Sequence, residues 1–206
     1  MGLKEMYDET QLKIMDATMS LIIDKGYSGA TTKEIAKLAG VNECTIFRRF
    51  AGKKEIVTAA MELPKWNPGL SERDFIYHGE LEEDLLAFSE MYMKKVTPQM
   101  VKLSIGLRAV ELQGAALPGI MKVPMVFKKV LLDYFSEMIA AGKMRDCDVE
   151  SLAVQFIAMN FGFVFLDASF GDKLVCSSKE EYIRNSIRNF VSGICKKHVT
   201  IQTPLE

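Results

Sequence analysis

The sequence predicts an all-α fold. Apolar residues recur every three or four positions over long runs, and no stretch alternates apolar and polar as a strand would. Gly and Pro fall between those runs rather than inside them. The chain has 206 residues, 49% hydrophobic and 26% charged, which is enough for one large domain or two small ones with a real core.

The elements follow in order. A first helix is expected over residues 10–25, with Leu12, Met15, Met19, Ile22 and Ile23 on its apolar face and Gly26 as its stop. A second opens at Thr31, where Thr31-Thr32-Lys33-Glu34 has capping-box spacing, and ends at Gly40. Asn42 caps a short third helix carrying Ile46, Phe47 and Phe50. A fourth follows Gly52 through Ile56, Val57 and Ala60, and Pro64, Pro68 and Gly69 bracket a linker around Trp66.

The segments then lengthen. A fifth helix is expected over 80–95, and a sixth from Pro98 until Gly114, Pro118 and Gly119 break it. A seventh covers 123–141. An eighth, over 148–170, is apolar nearly all round and is expected to be buried on both sides. The ninth starts at Ser178 with a second capping-box spacing and carries one apolar stripe. This change of character divides the chain into a small unit, residues 8–62, and a larger helical unit, 63–206.

Composition excludes several classes. Lys plus Arg is 26 against 27 Asp plus Glu, so the chain is not a globally basic DNA binder of the histone kind. Cys44, Cys147, Cys176 and Cys195 form no CxxC pair, and His78 and His198 are the two histidines, so there is little material for a metal site. No phosphate-binding Gly loop, HExxH, GxSxG or His/Cys/Asp cluster is present, so no catalytic residue or cofactor is assigned. The N-terminus lacks a signal-peptide core, and the apolar run over 152–166 is short of the roughly 20 residues a membrane span needs. A cytoplasmic chain with reduced thiols is expected.

Residues 31–50 carry the function. Two short helices meet at Ala39-Gly40-Val41-Asn42, where Gly40 supplies the positive φ of a tight turn, Ala36 permits close approach, and Val41 and Ile46 fill the wedge. That is the construction of a helix-turn-helix. Between Lys25 and Lys54 there are seven basic residues against two acidic ones, a local net of +5 in a chain whose total is −1. A basic patch on an otherwise acidic protein is the footprint of phosphate binding.

Gly26-Tyr27, Thr31-Thr32, Ile35-Ala36, Ala39-Gly40-Val41, Thr45-Ile46-Phe47, Phe50 and Lys53-Lys54-Glu55 resemble the N-terminal domain of TetR-family transcriptional regulators. The resemblance spans about residues 10–60. It implies an all-helical homodimer that binds double-stranded DNA at a near-palindromic operator, probed by recognition helices roughly 34 Å apart. It also implies a small-molecule effector held in the C-terminal domain, whose binding lowers operator affinity.

Carried onto this sequence, the resemblance makes 42–50 the recognition helix. Thr31, Thr32, Lys33 and Lys53 are then expected at phosphate, Thr45 and Arg48 at or near bases, and Asn42 among the DNA-binding residues at the start of that helix. Glu43 either accepts from a cytosine amino group or complements the helix dipole. Phe47 stands where the family usually has Tyr, which removes a phenolic phosphate contact. Arg49 stands where His or Tyr is common and supplies a full charge instead. Cys44 replaces a frequent Gly, as a small residue that fits the groove or as a redox-sensitive thiol.

For the effector, residues expected on helices five to eight are Phe88, Tyr92, Leu107, Glu111, Phe127, Tyr134, Phe156, Met159, Asn160 and Phe163, with Glu111 or Asn160 as polar anchor. For the dimer, the last two helices supply Phe165, Ile183, Ile187, Phe190, Val191 and Ile194. An activator of the same fold, or a helical interaction module that has lost specific DNA binding, are the alternatives.

Overall fold

The computed structural model describes residues 6–67, 69–108, 117–175 and 177–195. Nine α-helices are found among them: α1 (Glu9–Gly29), α2 (Thr32–Ala39), α3 (Glu43–Arg49), α4 (Lys53–Ala60), α5 (Leu81–Lys95), α6 (Pro98–Gly106), α7 (Leu117–Ala140), α8 (Val149–Phe170) and α9 (Lys179–Ile194). No strand occurs among the described residues beyond an isolated bridge between Met144 and Cys195.

Local chemistry sets the boundaries. Asp8 caps α1 reciprocally with Gln11, and Gly26 interrupts the helix at φ 73°. The C-terminal stop of α2 is Gly40, in the left-handed region at φ 68°. Ser178 caps α9 by accepting from the Glu181 N–H. Three boundaries differ from expectation: α1 continues past Gly26 to Gly29, α6 ends at Gly106 rather than at Gly114, and α7 starts early. α7 begins at Leu117 rather than near 123, with Pro118 and Gly119 in its first turn and Pro124 inside it. A proline in the first turn loses nothing, because that N–H has no intrahelical partner.

Two apolar cores form. The smaller joins α1–α4, and it also takes in Leu63 and Trp66 of the linker and Leu103 and Leu107 at the end of α6. It therefore reaches past residue 62. Gly106 brings α6 against α1 so closely that a Cβ there would lie 2.6 Å from the Ile22 carbonyl oxygen. The larger core joins α5, α7, α8 and α9. Within it Asp84, 3% exposed, accepts from the His78 and Gly79 N–H groups, each at 2.8 Å, and from the Tyr134 hydroxyl at 3.0 Å. Burial, and then the Asp84 charge, push the Tyr134 phenol far above its usual range.

α8 corrects two expectations. It packs on α5, α6 and α7, yet Val154, Leu166 and Phe170 stay exposed, so it is covered on one flank only. With the turn that follows, it is 25 residues of mean hydropathy 1.6 in its most apolar window, long and apolar enough to cross a membrane by length and composition. The described ninth helix also departs from expectation. Ile183, Ile187, Val191 and Ile194 are buried in the chain's own core, and Phe190 packs on Phe135 and Phe156. Their stripe faces α5, so Ile183, Ile187, Val191 and Ile194 are already covered within the chain.

Candidate nucleic-acid interface

Helices α2 and α3 meet as the turn sequence demands. The Val41 N–H returns to the Ala36 carbonyl at 3.0 Å, and Ile46 is fully buried in the wedge. Thr31 caps α2 by accepting from the Glu34 N–H, and Glu34 accepts in return from Thr31. Lys25 and then the Thr31 donors hold the Glu34 carboxyl below its usual range. Asn42 caps α3 through the Cys44 N–H at 2.9 Å.

The outer face of α3 presents Cys44, Phe47 and Arg48, with Thr45 half-buried beside them. Phe47 is 57% exposed, as is Leu38 on α2. Two large apolar side chains left in water next to a cation mark a surface built to be covered. Lys33, Lys37, Arg48 and Lys54 make no ion pair among the described residues, so their charge is free for phosphate.

Four residues expected at DNA also make contacts within the protein. The Lys53 ammonium donates to the Tyr27 and Ala30 carbonyls at 2.5 and 2.9 Å and lies 4.1 Å from the Tyr27 ring centroid. It staples α4 to the C-terminal end of α1, where carbonyls lack helical partners. Arg49 pairs with Asp8 at 2.9 Å. The Thr32 hydroxyl donates to Glu43 at 2.6 Å, which ties the start of α2 to the start of α3. Glu43 is thus an internal acceptor and helps to orient α3 against α2. A double-mutant cycle on Thr32→Val and Glu43→Ala is expected to show a coupling of roughly 0.5–1.5 kcal/mol in urea unfolding. Strict additivity would mean that the bond contributes nothing.

A cavity of about 320 Å³ lies where the linker after α4 meets α5–α8, walled by Met61, Trp66, Tyr92, Leu107, Val154 and Phe161 among others. Trp66 is 3% exposed, and its indole N–H donates to Asp16 on α1 at 3.0 Å. Lys65 pairs with the other oxygen of the same carboxylate. The cavity wall is therefore bonded directly to the helix-turn-helix unit.

Of the residues expected at an effector, Tyr92 and Leu107 line this cavity. Phe88, Phe127, Tyr134 and Phe156 are packed in the larger core as an aromatic cluster, with Tyr92 stacked on Phe127 at 4.7 Å. Phe163 stacks on Tyr182 at 4.3 Å, and Met159 packs against the same core. Asn160 donates to its own helix at the Phe156 carbonyl, while its Oδ1 has no partner among the described residues. Glu111 lies outside the described residues. Sequence reasoning missed Met61 and Trp66, because a Pro- and Gly-bracketed stretch reads as linker. A tryptophan isolated in such a stretch was the available signal.

Comparison with known proteins agrees with this geometry. Residues 14–60 match the model for bacterial regulatory proteins of the tetR family. The HTH-type transcriptional regulator YvkB of Bacillus subtilis, itself uncharacterised, is 29% identical over 187 residues, covering 90% of this chain and 97% of that protein. The fold is shared with NalD, a repressor of the MexAB-OprM efflux pump in Pseudomonas aeruginosa (TM-score 0.66, 14% identity, 92% and 98% of the two chains). It is shared also with FadR of Bacillus subtilis, solved in complex with stearoyl-CoA (TM-score 0.65, 20% identity, 89% and 98% covered). The helix-turn-helix matched to the family model over residues 14–60, the HTH-type relative aligned over nine-tenths of the chain and the shared fold together support a TetR-family DNA-binding transcriptional regulator.

Proposed function

We propose that this regulator is a homodimeric repressor whose hold on a near-palindromic operator changes when a small molecule enters the cavity beside Trp66. The observation that carries the DNA-binding half is the exposed row of Phe47 and Arg48 on α3, flanked by cations with no internal partner. In this reading α3 enters the major groove. Arg48 pairs with a guanine through O6 and N7, Phe47 meets a thymine methyl, and Asn42 and Thr45 lie near base edges. Thr31 and Lys33 sit at the N-terminus of α2, where free N–H groups favour phosphate. Thr32, Glu43, Arg49 and Lys53 hold the unit together from behind. Residues 8–62 act as the DNA-binding unit, braced by the end of α6.

The effector half rests on connectivity. Any molecule that displaces Trp66 also pulls on Asp16 of α1, and Leu103 and Leu107 belong to the smaller core. A small-molecule role for the cavity is supported by the FadR complex with stearoyl-CoA on the same fold. The dimer contact fits the open flank of α8, where Leu166 and Phe170 are exposed and Phe165 is half-buried. We read α8 as a core and interface helix, and the protein as acting in the cytoplasm, where its DNA is.

Fluorescence anisotropy on the upstream intergenic DNA, against scrambled DNA and at two salt concentrations, tests this. Selective binding that weakens steeply with salt is expected. Arg48→Ala is expected to cost about 1–3 kcal/mol, roughly 5- to 150-fold in Kd, and to relax preference at one base pair. An unchanged Kd and unchanged preference for Arg48→Ala would remove the proposed readout.

A further inference from the structure

The apolar cavity does not stand alone. A second opening of about 420 Å³ adjoins it, and Trp66, Met100 and Leu103 line both. The two differ in chemistry. The second is bordered by Lys65, Lys94 and Lys95, and Arg108 stands on the wall of the first. Among the described residues no Asp or Glu lines either, although the chain has 27 acidic residues against 26 basic ones. Lys65 is held by Asp16. Lys94, Lys95 and Arg108 make no ion pair among the described residues, although the Lys95 charge also acts on the Asp74 carboxyl and helps to hold it below its usual range.

Apart from Arg108, the polar side chains named on the wall of the apolar chamber already donate within the protein. The Asn67 side-chain amide donates to the Met61 carbonyl at 3.1 Å, and the Ser104 hydroxyl donates to the Val101 carbonyl at 2.8 Å. A cation entering here would give up its hydration and find no carboxylate among the lining residues. An anion at the mouth would meet two unpaired ammonium groups while its apolar part left water.

We propose that the effector is an anionic amphiphile, with its apolar body in the Trp66 chamber and its head between Lys94 and Lys95. This rests on the ligand-responsive reading above and adds to it the charge and polarity of the molecule. The chamber is at the small end of the roughly 300–1,000 Å³ that ligand pockets occupy, so the apolar body is modest in size.

Trp66 is the one tryptophan in the sequence, and it lines both openings, so its emission reports occupancy. The full-length protein is titrated with decanoate, decanol and decyltrimethylammonium, each below its aggregation threshold, while Trp66 emission and operator anisotropy are followed. Decanoate is expected to bind at least about tenfold more tightly than the other two. Lys94→Glu combined with Lys95→Glu is expected to weaken decanoate by a similar factor and to leave decanol unchanged, in a protein whose thermal melt stays cooperative. If the cation binds as tightly as the carboxylate, or if the double variant weakens decanol equally, the head-group assignment is overturned while the cavity remains a ligand site. If none of the three changes Trp66 emission or operator affinity, the effector reading falls with it.

Discussion

Replacing Asp84 by alanine is expected to lower stability by about 3–5 kcal/mol. The carboxylate is buried and accepts from two backbone N–H groups and one phenol. Alanine leaves all three donors without their acceptor, and each unsatisfied donor costs about 1–3 kcal/mol before relaxation and hydration. In a chain of this size the melting temperature is expected to fall by roughly 2–4 °C per kcal/mol. Tyr134→Phe separates the contributions. It removes one donor and leaves the two backbone bonds, so a loss near 1 kcal/mol is expected. If Asp84→Ala melts within a degree or two of the parent, the residues before α5 do not depend on this carboxylate.

Gly106→Val is the second large effect. A Cβ at this position would lie 2.6 Å from the Ile22 carbonyl oxygen and 3.0 Å from Ile22 Cγ2. The nearer atom is helix backbone and cannot rotate aside, so α6 must move away from α1. Overpacking of this kind costs about 1–3 kcal/mol. The functional consequence follows from position. α6 supplies both the wall of the Trp66 cavity and part of the smaller core, so its displacement is expected to blunt the effector's influence on DNA binding. Gly193→Ala is the control. That glycine sits on the exposed side of α9 with nothing within 4 Å of its built Cβ, and replacing it is expected to stabilise by about 0.5–1 kcal/mol. Equal melting temperatures for Gly106→Val and the parent would show that α1 and α6 adjust freely.

Both effects bear on which parts of the site the sequence exposes. The turn at Gly40, the caps at Thr31 and Asn42 and the buried Ile46 depend on residues within four positions of one another, and each stands in the structure as the spacing requires. The free or engaged state of the cations is another matter. Arg49 and Arg48 are neighbours in sequence, yet Arg49 is paired with Asp8, 41 positions away, while Arg48 points outward unpaired. Lys53 and Lys54 divide in the same way, because Lys53 reaches carbonyls more than 20 positions back. Composition counts all of these as one basic patch.

The residues expected at an effector show the same division. Apolar spacing marks Phe88, Phe127, Tyr134 and Phe156 as inward-facing, and they are. It does not distinguish an interior filled by other side chains from one left open. Those four fill each other's space, whereas the opening lies beside Trp66, where the linker and the end of α6 come together.

By itself, then, the sequence determined the helices, their caps, the helix-turn-helix and its family. Hydrogen-bonded turns, caps and helical faces are interactions between residues close in the chain, and spacing encodes them directly. Only the tertiary structure decided which cations are paired within the protein, that Glu43 serves Thr32, that the last helix spends its stripe internally, and where the cavity opens. Those outcomes depend on which distant side chains arrive first at a donor, a charge or a gap. That competition is settled by packing in three dimensions and leaves no periodic trace along the chain.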